Sequence, residues 1–168
     1  MKIVILGAGA VGSTLASLLC QENDLVVVDH DSSELHRLEE EADIKTLTGG
    51  ASYPNILVNA GIQEADMVVA VTGSDETNIV SCMIAKVLNK SIKTIARVRE
   101  ISYLKGKTKE AMDSGEIPVD IHISPEQLIT EHIQGLIEIP GSLQVMEFGQ
   151  GKLNLVAVRA VEGGPMIG

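Results

Sequence analysis

The fold class this sequence predicts is α/β: a parallel, doubly wound sheet of six strands. Three observations carry it. Short apolar runs of strand length recur between Lys2 and Ile123, each followed by helical spacing or turn chemistry. The runs Lys2–Leu6, Leu25–Val28 and Asp66–Val71 are nearly all apolar, as strands buried on both faces are. A glycine-rich turn, Gly7-Ala8-Gly9-Ala10-Val11-Gly12, lies between the first run and the first helical pattern, Val11 to Leu19.

The three glycines of that turn have separate uses. Gly7 permits the turn, because a residue without Cβ tolerates positive φ. Gly9 lets the backbone come close to a pyrophosphate, and Gly12 lets the helix pack close to the strand. Ala10 and Val11 open the helix, whose free N–H groups and positive dipole end suit a phosphate. The second strand ends in Asp29, at the spacing of roughly 20 residues expected for the acid that holds the adenosine ribose hydroxyls. A carboxylate there repels a 2′-phosphate, which favours NAD over NADP. His30 softens that repulsion only when protonated.

Composition narrows the function classes. The chain has 168 residues, room for one ordinary domain and part of a second. It is 45% hydrophobic but holds only one Phe, two Tyr and no Trp. The core must therefore be aliphatic, and the aromatic platforms of single-stranded nucleic-acid binders are lacking. A net charge of −10 disfavours non-specific binding to nucleic acid or to an anionic membrane. Cys20 and Cys82 lie in apolar helical patterns, with neither metal-ligand spacing nor a disulfide framework. No metal site is expected. No apolar run approaches the roughly 18–20 residues that span a bilayer. Strand residues from Lys2 leave no room for a signal peptide. The expectation is a cytoplasmic chain without direct membrane insertion.

After Asp29, Ser32 can cap a helix to about Glu41, with Leu35 and Leu38 inward. A third strand covers Ile44 to Leu47. Gly49-Gly50-Ala51-Ser52 follows its carboxyl end, where doubly wound sheets bind ligands. This loop is either a second wall of the site or a plain turn. Tyr53 to Ala60 reads as a short helix ended by Gly61. The fourth strand leads into the polar loop Thr72 to Asn78, where Ser74 or Asp75 can cap a helix to Leu88. Thr94 to Val98 is a fifth strand. Arg97 and Arg99 alternate with apolar residues there, which suits a phosphate or partner loop, or else a structural ion pair. Ile101 to Gly115 is helical or irregular, and Ile117 to Ile123 resumes a strand.

Ser124 and Pro125 then start a helix as capping serine and N1 proline. Leu128, Ile129, His132, Ile133, Leu136 and Ile137 form a wide apolar stripe along it, and Ile139-Pro140-Gly141 ends it. From Leu143 two strands are expected, Val145–Phe148 and Leu153–Val158, joined by a turn at Gly149–Gly151. They read as the start of a different unit, and the chain as one part of a longer one.

Tyr103 and Lys107 fit the Tyr-x-x-x-Lys pair of short-chain dehydrogenases. The glycine spacing and the early position of the tyrosine argue against that use. His30, His36, His122 and His132 show no metal-ligand spacing and no adjacent nucleophile, so no catalytic residue is expected.

The opening Lys2 to Gly12 run, Val27-Val28-Asp29, Val71 to Asn78 and Ile95 to Arg99 together resemble the TrkA-type RCK (KTN) domain family. The resemblance covers residues 1–137 as a Rossmann-like nucleotide-binding domain. The tail, 138–168, is similar to the start of the family's small α+β C-terminal subdomain. It implies a non-enzymatic regulator that binds NAD or NADH, or ATP and ADP in the same cleft, and gates a membrane potassium-transport subunit from the inner face of the membrane. Carried over, Gly7, Gly9, Ala10, Val11 and Gly12 form the phosphate turn, and Asp29 with His30 lies at the ribose. Thr72, Gly73, Ser74 and Asp75 line the cleft, and Arg97 and Arg99 match basic positions that face phosphates. The helix at 125–137 would join a homo-oligomer. Gly49-Gly50-Ala51 departs from the family's frequent Gly-Asp-Ala, so an expected acid is missing. Two other classes compete: the cofactor domain of an NAD-dependent oxidoreductase whose substrate domain lies elsewhere, and a transcriptional nucleotide sensor, for which no recognition helix or basic face is visible.

Overall fold

Six parallel strands form one sheet in the order β3-β2-β1-β4-β5-β6. They are β1 (Lys2–Leu6), β2 (Asp24–Asp29), β3 (Lys45–Thr48), β4 (Met67–Ala70), β5 (Lys93–Arg97) and β6 (Ile121–Ile123). The structure is a computed structural model that describes residues 1–148 and 153–160. Five helices connect these strands: α1 (Ala10–Leu19), α2 (Ser32–Glu41), α3 (Pro54–Asn59), α4 (Asp75–Leu88) and α5 (Gly106–Asp113). The chain winds outward from β1 to β3, then crosses back to β4 on the other side of β1. That reversal is the switch point of a doubly wound sheet, and the carboxyl ends of β1 and β4 flank it.

Period-two alternation in the strands feeds two cores. Ile3, Ile5, Leu25, Val27, Val69 and Val71 face α1 and α2, meeting Ala16, Leu35 and Leu38. Val4, Leu6, Val26, Val28, Val68 and Ala70 face the other way, onto Leu57, Ile79, Cys82 and Ala85 of α3 and α4. The largest fully buried side chains are all Ile, Leu and Val, the aliphatic core that the aromatic count demands.

Local differences from the sequence reading have physical causes. Asp31, not Ser32, caps α2: its side chain accepts from Ser33 N at 2.9 Å. Tyr53 is the residue before α3, whose first position is Pro54. Gly61 ends that region at φ 80°, as its C′ position requires. The strand expected from Ile117 is only Ile121–Ile123. Pro118 has no N–H to give, and the Asp120 carboxylate takes the N–H of Thr94 at 2.7 Å in place of a ladder carbonyl.

The compact unit built on this sheet runs from Met1 to Ile123, and a second begins at Ser124. In the second, α6 (Pro125–Glu138) packs on an antiparallel pair, β7 (Ser142–Phe148) and β8 (Leu153–Val158). Gly135 admits this packing, since a Cβ there would lie 3.3 Å from Val145 Cβ. Sequence reading groups α6 with the sheet domain; its compact contacts are with β7. Ser124 stands at the N-cap of α6 but makes no side-chain capping bond. The expected turn at Gly149–Gly151 lies outside the described residues. Leu128, Ile129, Ile133 and Ile137 are 50–71% exposed along α6.

Gly12 sets the closeness of α1 to β1. A Cβ there would collide with the Gly7 carbonyl oxygen and lie 2.9 Å from the Gly7 carbonyl carbon. Gly12→Ala should therefore destabilise the chain by roughly 3 kcal/mol, the upper end for overpacking, read by urea unfolding. A change below about 1 kcal/mol would mean that α1 can move away from the turn.

Candidate functional site

The loop after β1 turns sharply because Gly7 adopts φ 108°, with Val71 and Thr72 backbone atoms 3.0 Å from where a Cβ would lie. Gly9 then stands at the N-cap of α1 with no side chain to cap it. The N–H groups of the first turn are left for whatever enters from the cavity. A Cβ on Gly9 would meet nothing within 4 Å, and the same holds at Gly73 across the switch point. Both glycines border open space.

Asp29 ties this turn to the end of β2. One carboxylate oxygen accepts from Ala8 N at 2.6 Å; the other accepts from Asp31 N at 2.9 Å and meets His30 Nδ1 at 2.8 Å. An ionised carboxylate offers about four acceptor sites, so Asp29 keeps capacity for a further donor beside Ala8. The β3 loop joins the same place, with Gly49 N donating to the Asp29 carbonyl at 2.7 Å.

The polar loop after β4 is organised by Asn78, which is fully buried in the first turn of α4. Its Oδ1 accepts from Thr72 N at 2.9 Å and from the Thr72 hydroxyl at 2.7 Å. Its Nδ2 donates to the Arg97 carbonyl at 2.9 Å. One amide thus fixes the ends of β4 and β5 together. Ser74 caps α4 by accepting from Thr77 N at 3.1 Å.

These three loops enclose a cavity of about 740 Å³, within the range of small-molecule sites. Gly7, Gly9, Ala10, Val11, Asp29, His30, Thr72, Gly73, Ser74 and Arg97 line it. Gly12, Asp75 and Arg99 do not. Gly12 is buried against Gly7. Asp75 is 5% exposed and faces the other way, accepting from Arg99 N and Glu100 N, each at 2.7 Å. Arg99 gives its Nε to Asp75 at 3.2 Å and another guanidinium N–H to the Gly73 carbonyl. It lies past the end of β5, where strand alternation no longer sets direction. Of the two readings open for the arginines, Arg99 takes the structural ion pair and Arg97 lines the cavity. Gly50, Ala51 and Ser52 also line it, so the β3 loop is a wall. Tyr53 and Thr77 join the lining as residues that sequence reading missed; the position of Tyr53 after a strand-end loop was the available signal.

Other groups fall elsewhere. Tyr103 packs against the core on the α3–α4 side. Burial and the charge of Asp120 push the Cys82 thiol up to about 12, which keeps it protonated at neutral pH. Among the described residues no group of three or more His, Cys, Asp or Glu can hold a metal ion. Among them, too, no helix is long and apolar enough to cross a membrane.

Fold and cavity together define a Rossmann-like domain, with a glycine turn, a strand-end acid and an open cavity at the switch point. The family model described as the TrkA-N domain matches residues 3–125, and the chain belongs to that family. Over its full length it is 50% identical to the Trk system potassium uptake protein TrkA of Halomonas elongata and 48% identical to that of Vibrio alginolyticus. It spans 36% and 37% of the length of those relatives. The crystal structure of the TrkA-N domain of inner membrane protein ybaL from Escherichia coli shares the fold. Its TM-score is 0.68 at 20% identity, over 81% of this chain and 96% of that one. The GsuK channel bound to NAD matches with a TM-score of 0.64 at 21% identity, over 86% of this chain and 27% of the channel chain. GsuK bound to ADP matches at 0.63 and 22% identity, over 82% and 34%.

Two predictions follow from the hydrogen bonds. Burial works against ionisation of Asp75, but the N–H groups of Glu100 and Arg99 and the Arg99 guanidinium outweigh it and hold the carboxyl below the ordinary Asp range. A depressed folded value means that the stabilisation is fully present above the unfolded value, about 3.9, and is lost as pH falls through the folded one. Urea unfolding from pH 7 to pH 3 should show less acid loss in Asp75→Asn than in the parent; parallel curves would contradict this. Asn78→Ala leaves the Thr72 N–H and Arg97 carbonyl without this partner. It should lower stability by about 2–3 kcal/mol, measured in the same way, and a loss under 0.5 kcal/mol would contradict its role.

Proposed function

We propose that the cavity binds an adenine nucleotide, NAD(H) or ATP and ADP, with the phosphates on the Gly7–Gly12 turn and the ribose at Asp29. The observation that carries this reading is the uncapped N-terminus of α1, opening on a cavity with Asp29 across from it. The open space at Gly9 and Gly73 suits a pyrophosphate drawn close to backbone. The spare acceptor capacity of Asp29 suits a ribose hydroxyl, and its charge disfavours a 2′-phosphate. Arg97, at the end of β5, supplies positive charge in the lining of the cavity. The ligands named with the GsuK structures, NAD and ADP, support the same pair of candidates.

The names of the relatives support a wider role for the protein. In that role it is a non-enzymatic cytosolic regulator of potassium uptake, held at the inner face of the membrane by its transporter partner. The sheet unit, Met1–Ile123, forms the nucleotide-responsive domain, and the unit that begins at Ser124 is the start of the C-terminal subdomain. The exposed apolar face of α6 fits burial in a homo-oligomer. A nucleotide then gates the transporter by preferring one conformation of the assembly; a hundredfold preference is worth about 2.7 kcal/mol.

Calorimetric titration with NAD, NADH, ATP and ADP, alongside an NADH oxidation assay, tests the reading. Saturable binding of at least one nucleotide without turnover is expected. No binding by any of the four would overturn the site, and steady NADH oxidation with a defined substrate would overturn the regulatory role in favour of an oxidoreductase. Asp29→Ala should weaken NAD binding by about 1.5–3 kcal/mol, since it removes a charge-assisted acceptor. Unchanged affinity would mean that the ribose lies elsewhere.

A further inference from the structure

Tyr53 has no part in the core, and its place is nonetheless tightly set. Its N–H donates to the Gly50 carbonyl at 3.0 Å, closing a turn, and its carbonyl accepts from Leu57 N at 3.0 Å as α3 begins. The ring lies against the loop backbone: a Cβ on Gly50 would be 3.0 Å from both Cδ2 and Cε2. Yet the residue is 61% exposed and lines the cavity. The loop that carries it is fastened to the end of β2 by the bond from Gly49 N to the Asp29 carbonyl.

A nucleotide is a linear chain of phosphate, ribose and base. With phosphate at the end of β1 and ribose at the end of β2, the base is carried outward to the end of β3. Tyr53 stands there, an aromatic surface held at the cavity wall. We propose that Tyr53 is the platform on which the adenine ring stacks, an assignment that rests on the nucleotide-binding reading above. Gly50 is the complement of that platform, since any larger residue would crowd the ring from below. The atoms nearest a Cβ at the two glycines of the loop belong to Ile56 for Gly49 and to Tyr53 for Gly50.

The chain suits an optical test. It has two tyrosines and no tryptophan, so Tyr103→Phe leaves Tyr53 as the sole emitter of tyrosine fluorescence. In that variant ADP should quench the emission saturably, with the midpoint that calorimetry gives for ADP. Tyr53→Ala should weaken ADP and NAD binding by about 5-fold to 100-fold, the range for loss of one base–aromatic stack. Tyr53→Phe, which keeps the ring, should stay within about twofold of the parent. If ADP binds calorimetrically but the emission does not change and Tyr53→Ala retains parental affinity, the platform is wrong and the nucleotide site stands. If no adenine nucleotide binds the parent chain, the site itself is wrong and the platform falls with it.

Discussion

The contact of the Asp29 carboxylate with the N–H of Ala8 is the point on which the site depends. It joins the carboxyl ends of β1 and β2 through a single charged acceptor. On one side it holds the glycine turn in the shape that leaves the α1 N-terminus uncapped and facing the cavity. On the other it orders the start of α2 through Asp31 N. The β3 loop hangs from the backbone of the same residue. A residue that ties three loops and keeps one acceptor site holds that site in place without further ordering, as the ribose contact proposed above requires.

A second centre, Asn78, does for β4 and β5 what Asp29 does for β1 and β2. Its amide is saturated by backbone and by Thr72, and so it is scaffold. Asp75 belongs with it, fastening the chain after β5 to α4 through Arg99 and Glu100. The polar loop thus divides its labour. Thr72, Gly73 and Ser74 face the cavity, while Asp75 and Asn78 face the structure that supports them. Thr72 on the cavity wall and the Arg97 carbonyl share this one buried amide as hydrogen-bond partner.

Much of this was legible in the sequence because parallel strands buried on both faces read as continuous apolar runs, and because the glycine turn has a distinct spacing. Those runs place the strands along the chain; their order across the sheet comes from the pairing seen in the structure. Hydrogen-bond direction was harder to read. Asp75 and Arg99 look like cleft residues by type and position, but each satisfies the other, and nothing in their spacing reveals that. Asn78 was visible in a motif while its buried amide network was not. The late start of β6 turns on one side chain, Asp120, substituting for a ladder carbonyl. Tyr53 was missed because it stands one residue before its helix, at a boundary where periodicity carries no information.

A backbone amide NMR titration of the chain with ADP, and then with ATP, NAD and NADH, tests nucleotide binding at the glycine turn most directly. The largest shifts should fall at Gly9, Ala10, Val11 and Gly12, with further shifts at His30, residues 50–53 and residues 72–74. Shifts confined to the surface hollow around residues 112–115 and 118–122, or a spectrum left unchanged by saturating ADP, ATP, NAD and NADH alike, would contradict it.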